Sequence, residues 1–225
     1  MNGREEVNTM AGYSLICCVV DVGSASKVLR YARQHSVKGG TISIGREVVN
    51  NHLLELLALN EEQKEIITMV VERELAHGII LDIRQHLSLE KPHHGIAFSY
   101  PVSEFTGSKN EVGTCPEEDG GAKGMYKIIY VVVDKGRGED VIAAAGKAGV
   151  KSGIIINARG AGIHEVQKLF SMDIEPEKEE VFVIAKTEMK ERVIQSINDA
   201  LKIDEPGNGI MFILDVDEMY GLHGK

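Results

Sequence analysis

Two stretches decide the fold: Tyr13–Arg46, YSLICCVVDVGSASKVLRYARQHSVKGGTISIGR, and Tyr126–Arg159, YKIIYVVVDKGRGEDVIAAAGKAGVKSGIIINAR. At one constant offset Tyr13, Val20, Asp21, Gly23, Val28, Ala32, Val37, Lys38, Gly40, Ile42 and Arg46 meet Tyr126, Val133, Asp134, Gly136, Val141, Ala145, Val150, Lys151, Gly153, Ile155 and Arg159. After a one-residue shift, Pro92, Gly95, Ile96, Phe98, Val102, Glu104 and Gly107 meet Pro206, Gly209, Ile210, Phe212, Val216, Glu218 and Gly221. The period is a whole domain, so the chain is a duplication and not a solenoid.

Each copy carries the same order of elements. A β-branched run opens it, Leu15 to Val20 or Ile128 to Val133. A helix follows, with an apolar stripe of Val28, Leu29 and Ala32 or of Val141, Ile142 and Ala145. Ile42 and Ile44, or Ile154 to Ile156, form the second strand, and Ile66 to Val71 or Val181 to Ala185 the third. The second helix carries Leu75, Ile79, Ile80, Ile83 and Leu87, or Met189, Val193, Ile194, Ile197 and Leu201, with Thr187 as expected N-cap. Gly95 to Tyr100 and Gly209 to Leu214 are the closing strands. The fold class is therefore α+β: two tandem ferredoxin-like βαββαβ modules at residues 12–107 and 125–225, joined by a flexible linker at 108–124. Two helices shield one face of a four-stranded antiparallel sheet, yet the strands are apolar on both faces. The sheets must then pack on other sheets, between the copies or between chains.

Composition bounds the function. The 225 residues are 43% hydrophobic and 26% charged, which suits a folded protein. No apolar run reaches the roughly 20 residues of a membrane helix, so no membrane insertion is expected. The first residues lack the apolar core of a secretory signal, which makes a cytoplasmic location the expectation. A net charge of −9 argues against nucleic acid as a partner. Three cysteines, Cys17, Cys18 and Cys115, form neither a disulfide framework nor a zinc motif.

The second copy resembles the PII family of nitrogen-regulatory signalling proteins over its whole length. The resemblance lies in YKIIYVVVD, in Glu139-Asp140-Val141 at the helix start, and in Gly149-Val150 followed by Gly153. Arg159-Gly160-Ala161-Gly162 stands at the base of the family's T-loop, and Glu205-Pro206-Gly207-Asn208-Gly209 stands at its B-loop. The first copy keeps Gly45-Arg46 and Lys91-Pro92-His93-His94-Gly95 at these positions. The resemblance implies a regulator and not an enzyme, with no resident cofactor and an adenine nucleotide as the small-molecule effector. It also implies self-association with three-fold or pseudo-three-fold geometry, and a target enzyme or transporter. The ligand-binding residues it implies are Arg159, Gly160, Gly162, Gly207, Asn208, Gly209, Arg46 and Gly95. The sequence departs from the family where basic residues should meet phosphates: LDVDEMYGLHG is acidic, and no lysine or arginine stands between Glu205 and Lys225.

Other features have two readings. The turns Asp21-Val22-Gly23 and Asp134-Lys135-Gly136 stand where ACT-type modules bind amino acids, but an Asp or Ser there also caps the next helix. An ACT-like amino-acid-binding module is thus the alternative, and a small metal-binding protein or enzyme with an interface site is a third. His93 and His94, with His52 or His86, are metal candidates set against ordinary exposed turn histidines. Leu53, Leu54, Leu56 and Leu57, and Val166, Leu169 and Phe170, read as helical segments packed on their own module. The acidic runs Glu61-Glu62 and Glu177 to Glu180 read as solvated surface.

Overall fold

The computed structural model describes residues 12–37, 39–51, 54, 59–102, 104–108, 111–114, 124–159, 167–169, 172–174 and 176–222. The first module comprises β1 (Tyr13–Asp21), α1 (Ala25–Gln34), β2 (Thr41–Val49), β3 (Glu61–Glu72), α2 (Arg73–Leu87) and β4 (Ile96–Val102). Two short strands follow, β5 (Glu104–Ser108) and β6 (Glu111–Thr114), paired with each other; β6 falls within the stretch read as linker. The second module comprises β7 (Tyr126–Asp134), α3 (Gly138–Lys147), β8 (Ser152–Arg159), the small ladder of β9 (Gln167–Leu169) and β10 (Met172–Ile174), β11 (Glu177–Lys186), α4 (Lys190–Leu201), β12 (Ile210–Asp215) and β13 (Glu218–Tyr220).

Both modules form from the expected periodicities. Along β7, Ile129, Val131 and Val133 alternate onto the helix side, where they meet Val141, Ala145, Val193 and Ile197 in one cluster. Along β1, Ile16, Cys18 and Val20 do the same against Val28, Ala32, Ile79 and Ile83. The opposite set of each alternation builds a third cluster, which unites Cys17, Val19, Ile66 and Phe98 with Ile128, Ile154, Ile156 and Val216. The second apolar face of each sheet is therefore covered by the other copy, within one chain. Burying such a side chain contributes about 1.5–3 kcal/mol, so this interlayer cluster is a main source of cohesion between the modules.

The sheets are also continuous. The strand order is β12-β7-β11-β8-β2-β3-β1-β4-β13, nine strands with β2 joined to β8 at the centre. In that junction Gly45 pairs with Ile156 and Val48 with Gly153. One step past the first pair stand Ile44 and Asn157, which are counterparts in the repeat, so the two modules meet about a pseudo-two-fold axis. β12 and β13 lie at opposite ends of the order. Only Val216 and Asp217 separate them in sequence, so the sheet must curl until its ends approach. The Asp217 N–H donates to the Ser99 carbonyl at 2.9 Å across this closure.

Several expectations change. Leu169 lies in β9 and not in a helix, because a three-residue ladder with β10 takes the segment. Val166 and Phe170, and Leu53, Leu56 and Leu57, lie outside the described residues; Leu54 is helical. Ile42 and Ile44 alternate as read, but they are exposed at the uncovered helix-side margin of β2. Thr187 caps no helix: its hydroxyl donates to the Gly124 carbonyl, and residues 187–189 form a 3-10 turn ahead of α4.

Candidate functional site

Arg159 and the turn Gly207-Asn208-Gly209 of the second module are brought to one end of its sheet. Arg159 ends β8 and pairs with Glu177. Gly209 leads into β12, whose first residue pairs with Val132 near the end of β7. Three inter-strand steps separate the two positions, about 14 Å at the usual strand spacing, and the turn at Asp134 lies between them. Arg159 is exposed, as is Gly207, which has a φ of +91° in open space. Asn208 is tied down: its side-chain N–H donates to the Lys202 carbonyl at 2.9 Å. Gly160 and Gly162 lie outside the described residues.

Gly95 and Gly209 have a packing reason as well. Both have positive φ, +110° and +132°, and a Cβ there would collide with the carbonyl of Val19 or of Val132. Each lets the last strand of its module start against the backbone of the first.

Arg46 is placed differently from its counterpart Arg159. Its guanidinium donates to Glu139 at 2.7 Å and Glu179 at 3.3 Å and lies 3.0 Å from Glu61. Burial alone would lower its pKa, but the Glu139 and Glu61 carboxylates hold it above the ordinary guanidinium value. Three carboxylates from both modules thus occupy this cation at the β2–β8 junction.

The acidic runs contain residues that the sequence reading missed. Glu179 is buried, at 3% exposure, and accepts from the N–H groups of Gly138 (2.7 Å) and Gly136 (3.1 Å) at the start of α3. Its counterpart Glu65 accepts from the Ala25 N–H at 2.8 Å at the start of α1. The helix starts are therefore capped from the third strand, and neither Ser24 nor Arg137 makes a side-chain cap. A carboxylate is the natural partner for unpaired N–H groups at a helix start. The signal was present in the alternation: Glu179 is in phase with the core-facing Val181 and Val183, as Glu65 is with Ile67 and Met69.

The turn acids are occupied too. Lys64 bonds Asp21 at 2.7 Å and Lys178 bonds Asp134 at 2.6 Å, again repeat counterparts. Burial pulls the pKa of Lys64 down, while its bonds to Asp21 and Glu62 more than offset this and hold it above normal. Among the described histidines, His94 meets the Leu87 carbonyl, and His86 meets the Asp82 backbone. No group of three metal-type ligands exists among the described residues, and His52 lies outside them.

A cavity of about 220 Å³ opens between the two sheets, lined by Val19, Ile66 and Phe98 from one module and Tyr126, Ile154 and Ile184 from the other. It has room for one ring or a short aliphatic chain. None of the described loop residues named above lines it. Cys17 faces it, with its thiol pushed up to about 12 by burial, so it remains protonated and unreactive at neutral pH. No helix among the described residues is long and apolar enough to cross a membrane.

No curated protein matches the chain. Among solved structures, Arabidopsis thaliana PII bound to citrate is similar at 22% identity, over 41% of this chain and 75% of that one, with a TM-score of 0.32. The B. subtilis GlnK–ATP complex is similar at 20% identity, over 44% of this chain and 96% of that one, with a TM-score of 0.35. Residues 126–224, most of the second module, match the family model for nitrogen regulatory protein P-II.

Proposed function

We propose that this chain is a tandem PII-like regulator in which the second module senses a small molecule and the first serves as its structural partner. The observation that carries this reading is the P-II match across residues 126–224. The effector site is the end of the second sheet that holds Arg159 with Gly160 and Gly162, and Gly207, Asn208 and Gly209. An exposed arginine beside glycine-rich backbone suits an anionic ligand, because backbone N–H groups and a guanidinium both donate to phosphate or carboxylate oxygens. An adenine nucleotide is the effector class, and the response passes to a target enzyme or transporter by protein contact. Arg46 and Gly95 belong to the first copy, where the guanidinium is already held by three glutamates. That arrangement favours a structural role for the first copy's loop positions. The protein regulates and does not catalyse, acts in the cytoplasm, and self-associates.

Titration calorimetry with ATP, ADP, AMP and a panel of amino acids tests this. Binding of one adenine nucleotide per chain, lost in Arg159→Ala and retained in Arg46→Ala, is the expected result. Binding of an amino acid alone, unaffected by Arg159→Ala, would assign the chain to the ACT-like class instead.

A further inference from the structure

β4 and β12 are copies of one strand, but their outer edges differ. β13 covers β4, with Glu218 opposite Ser99, Met219 opposite Phe98 and Tyr220 opposite Ala97. β12 pairs on one side only among the described residues, with β7. The result shows in side chains that are repeat counterparts: Phe98 is 2% exposed and Phe212 41%. Ile210 is 60% exposed beside it. An apolar strand edge left open in this way is a pairing site that natural proteins cover.

We propose that the open edge of β12 is the docking site for this chain's own β5, in an antiparallel register that sets Glu104 opposite Ile213, Phe105 opposite Phe212 and Thr106 opposite Met211. This is the one register that the internal repeat and the existing β13–β4 ladder share. Running the β13–β4 ladder onward along both strands arrives at these pairs. Exchanging each residue of that ladder for its repeat counterpart arrives at the same pairs. β4 and β12 already come into contact at the closure. Connectivity agrees: β5 follows β4 after Ser103, as β13 follows β12 after Val216 and Asp217. Each copy thereby sends a tail strand onto the other copy's last strand, and the sheet closes on both sides of its seam.

The structure also explains why this half of the closure is the weaker one. β13 is held by His77, whose Nδ1 lies 2.9 Å from the Glu218 carboxylate, and by Arg84 over the ring of Tyr220. The counterparts of His77 and Arg84 are Glu191 and Asn198, and those of Glu218 and Tyr220 are Glu104 and Thr106. A hydrogen-bonded pair becomes a pair of like charges, and a cation–aromatic contact disappears. β5 meanwhile pairs with β6 in a ladder broken by a register shift between Phe105 and Ser108. β5 thus has two partners, and its choice decides whether β12 is open. This inference is independent of the identity or existence of an effector.

The test uses the full chain with Cys115→Ser and the pair Phe105→Cys and Phe212→Cys. Directly opposed residues in an antiparallel ladder lie within disulfide reach. Mild oxidation followed by peptide mapping should give an intramolecular 105–212 disulfide, about tenfold in excess of that in a Gly107→Cys, Phe212→Cys control. Hydrogen exchange on the chain without introduced cysteines supplies the second measurement. β12 amides should exchange about tenfold faster in Phe105→Pro, which removes a ladder donor, and more slowly in Glu104→Lys. Equal cross-linking of pair and control, or β12 exchange untouched by Phe105→Pro, would overturn the proposal. A disulfide that forms between chains would also overturn it and give the edge to a second copy.

Discussion

The two copies share a framework and differ at their edges. In both, a third-strand glutamate caps the first helix, a third-strand lysine holds the turn aspartate, and a positive-φ glycine starts the last strand. These shared devices serve the backbone and need no particular neighbour. The differences cluster where one copy touches the other. Arg46 is clamped while Arg159 is exposed, and Phe98 is sealed under β13 while Phe212 is open.

Substitutions at counterpart positions put this contrast to the test. The largest difference is expected at the strand edge. Phe98→Ala should cost about 3–5 kcal/mol by leaving a cavity in the interlayer cluster, whereas Phe212→Ala in a Phe105→Pro chain, where the β12 edge stays open, should cost about 1 kcal/mol. Urea unfolding of the two variants measures both, and equal losses would mean that the β12 edge is covered as fully as the β4 edge.

Next in size is the cap. Glu179→Ala strands two N–H donors and removes one partner of Arg46, for a loss of about 2–3 kcal/mol. Glu65→Ala strands the single Ala25 donor and should cost about 1 kcal/mol. Thermal unfolding would rank them, and the reverse order would break the account of the cap.

The arginines follow. Arg46→Ala should destabilise by about 1–2 kcal/mol, since it leaves Glu179 short of a partner, while Arg159→Ala should change stability by under about 0.5 kcal/mol. The smallest effect is at the exposed His77 pair. Glu218→Ala should lower stability by about 0.2–1 kcal/mol and show mainly as faster amide exchange in β13. Unchanged exchange there would remove the reason given for the stronger half of the closure.

Much of the architecture was legible before any coordinates. The repeat fixed the element order twice, because period-2 alternation in Ile128–Val133 and helical spacing in Val193–Leu201 are local properties of the chain. The argument that each sheet needs a second cover also holds, since Ile128, Ile154 and Ile156 are buried against Cys17, Ile66 and Phe98. The site was legible only in part. Arg159 and Gly207–Gly209 share one end of a sheet, but Arg46 reads identically in sequence and is locked in a clamp. Glu139 and Glu179, which hold it, are far away along the chain.

The sequence by itself determined the modules, because strand and helix periodicity, glycine turns and an internal copy are written in neighbouring residues. Tertiary structure alone decided which edges join. β2 meeting β8, β13 crossing to β4, and the burial of Glu179 depend on residues brought together from distant positions. Edge pairing is made by backbone groups that every residue carries, so side-chain pattern does not name its partner.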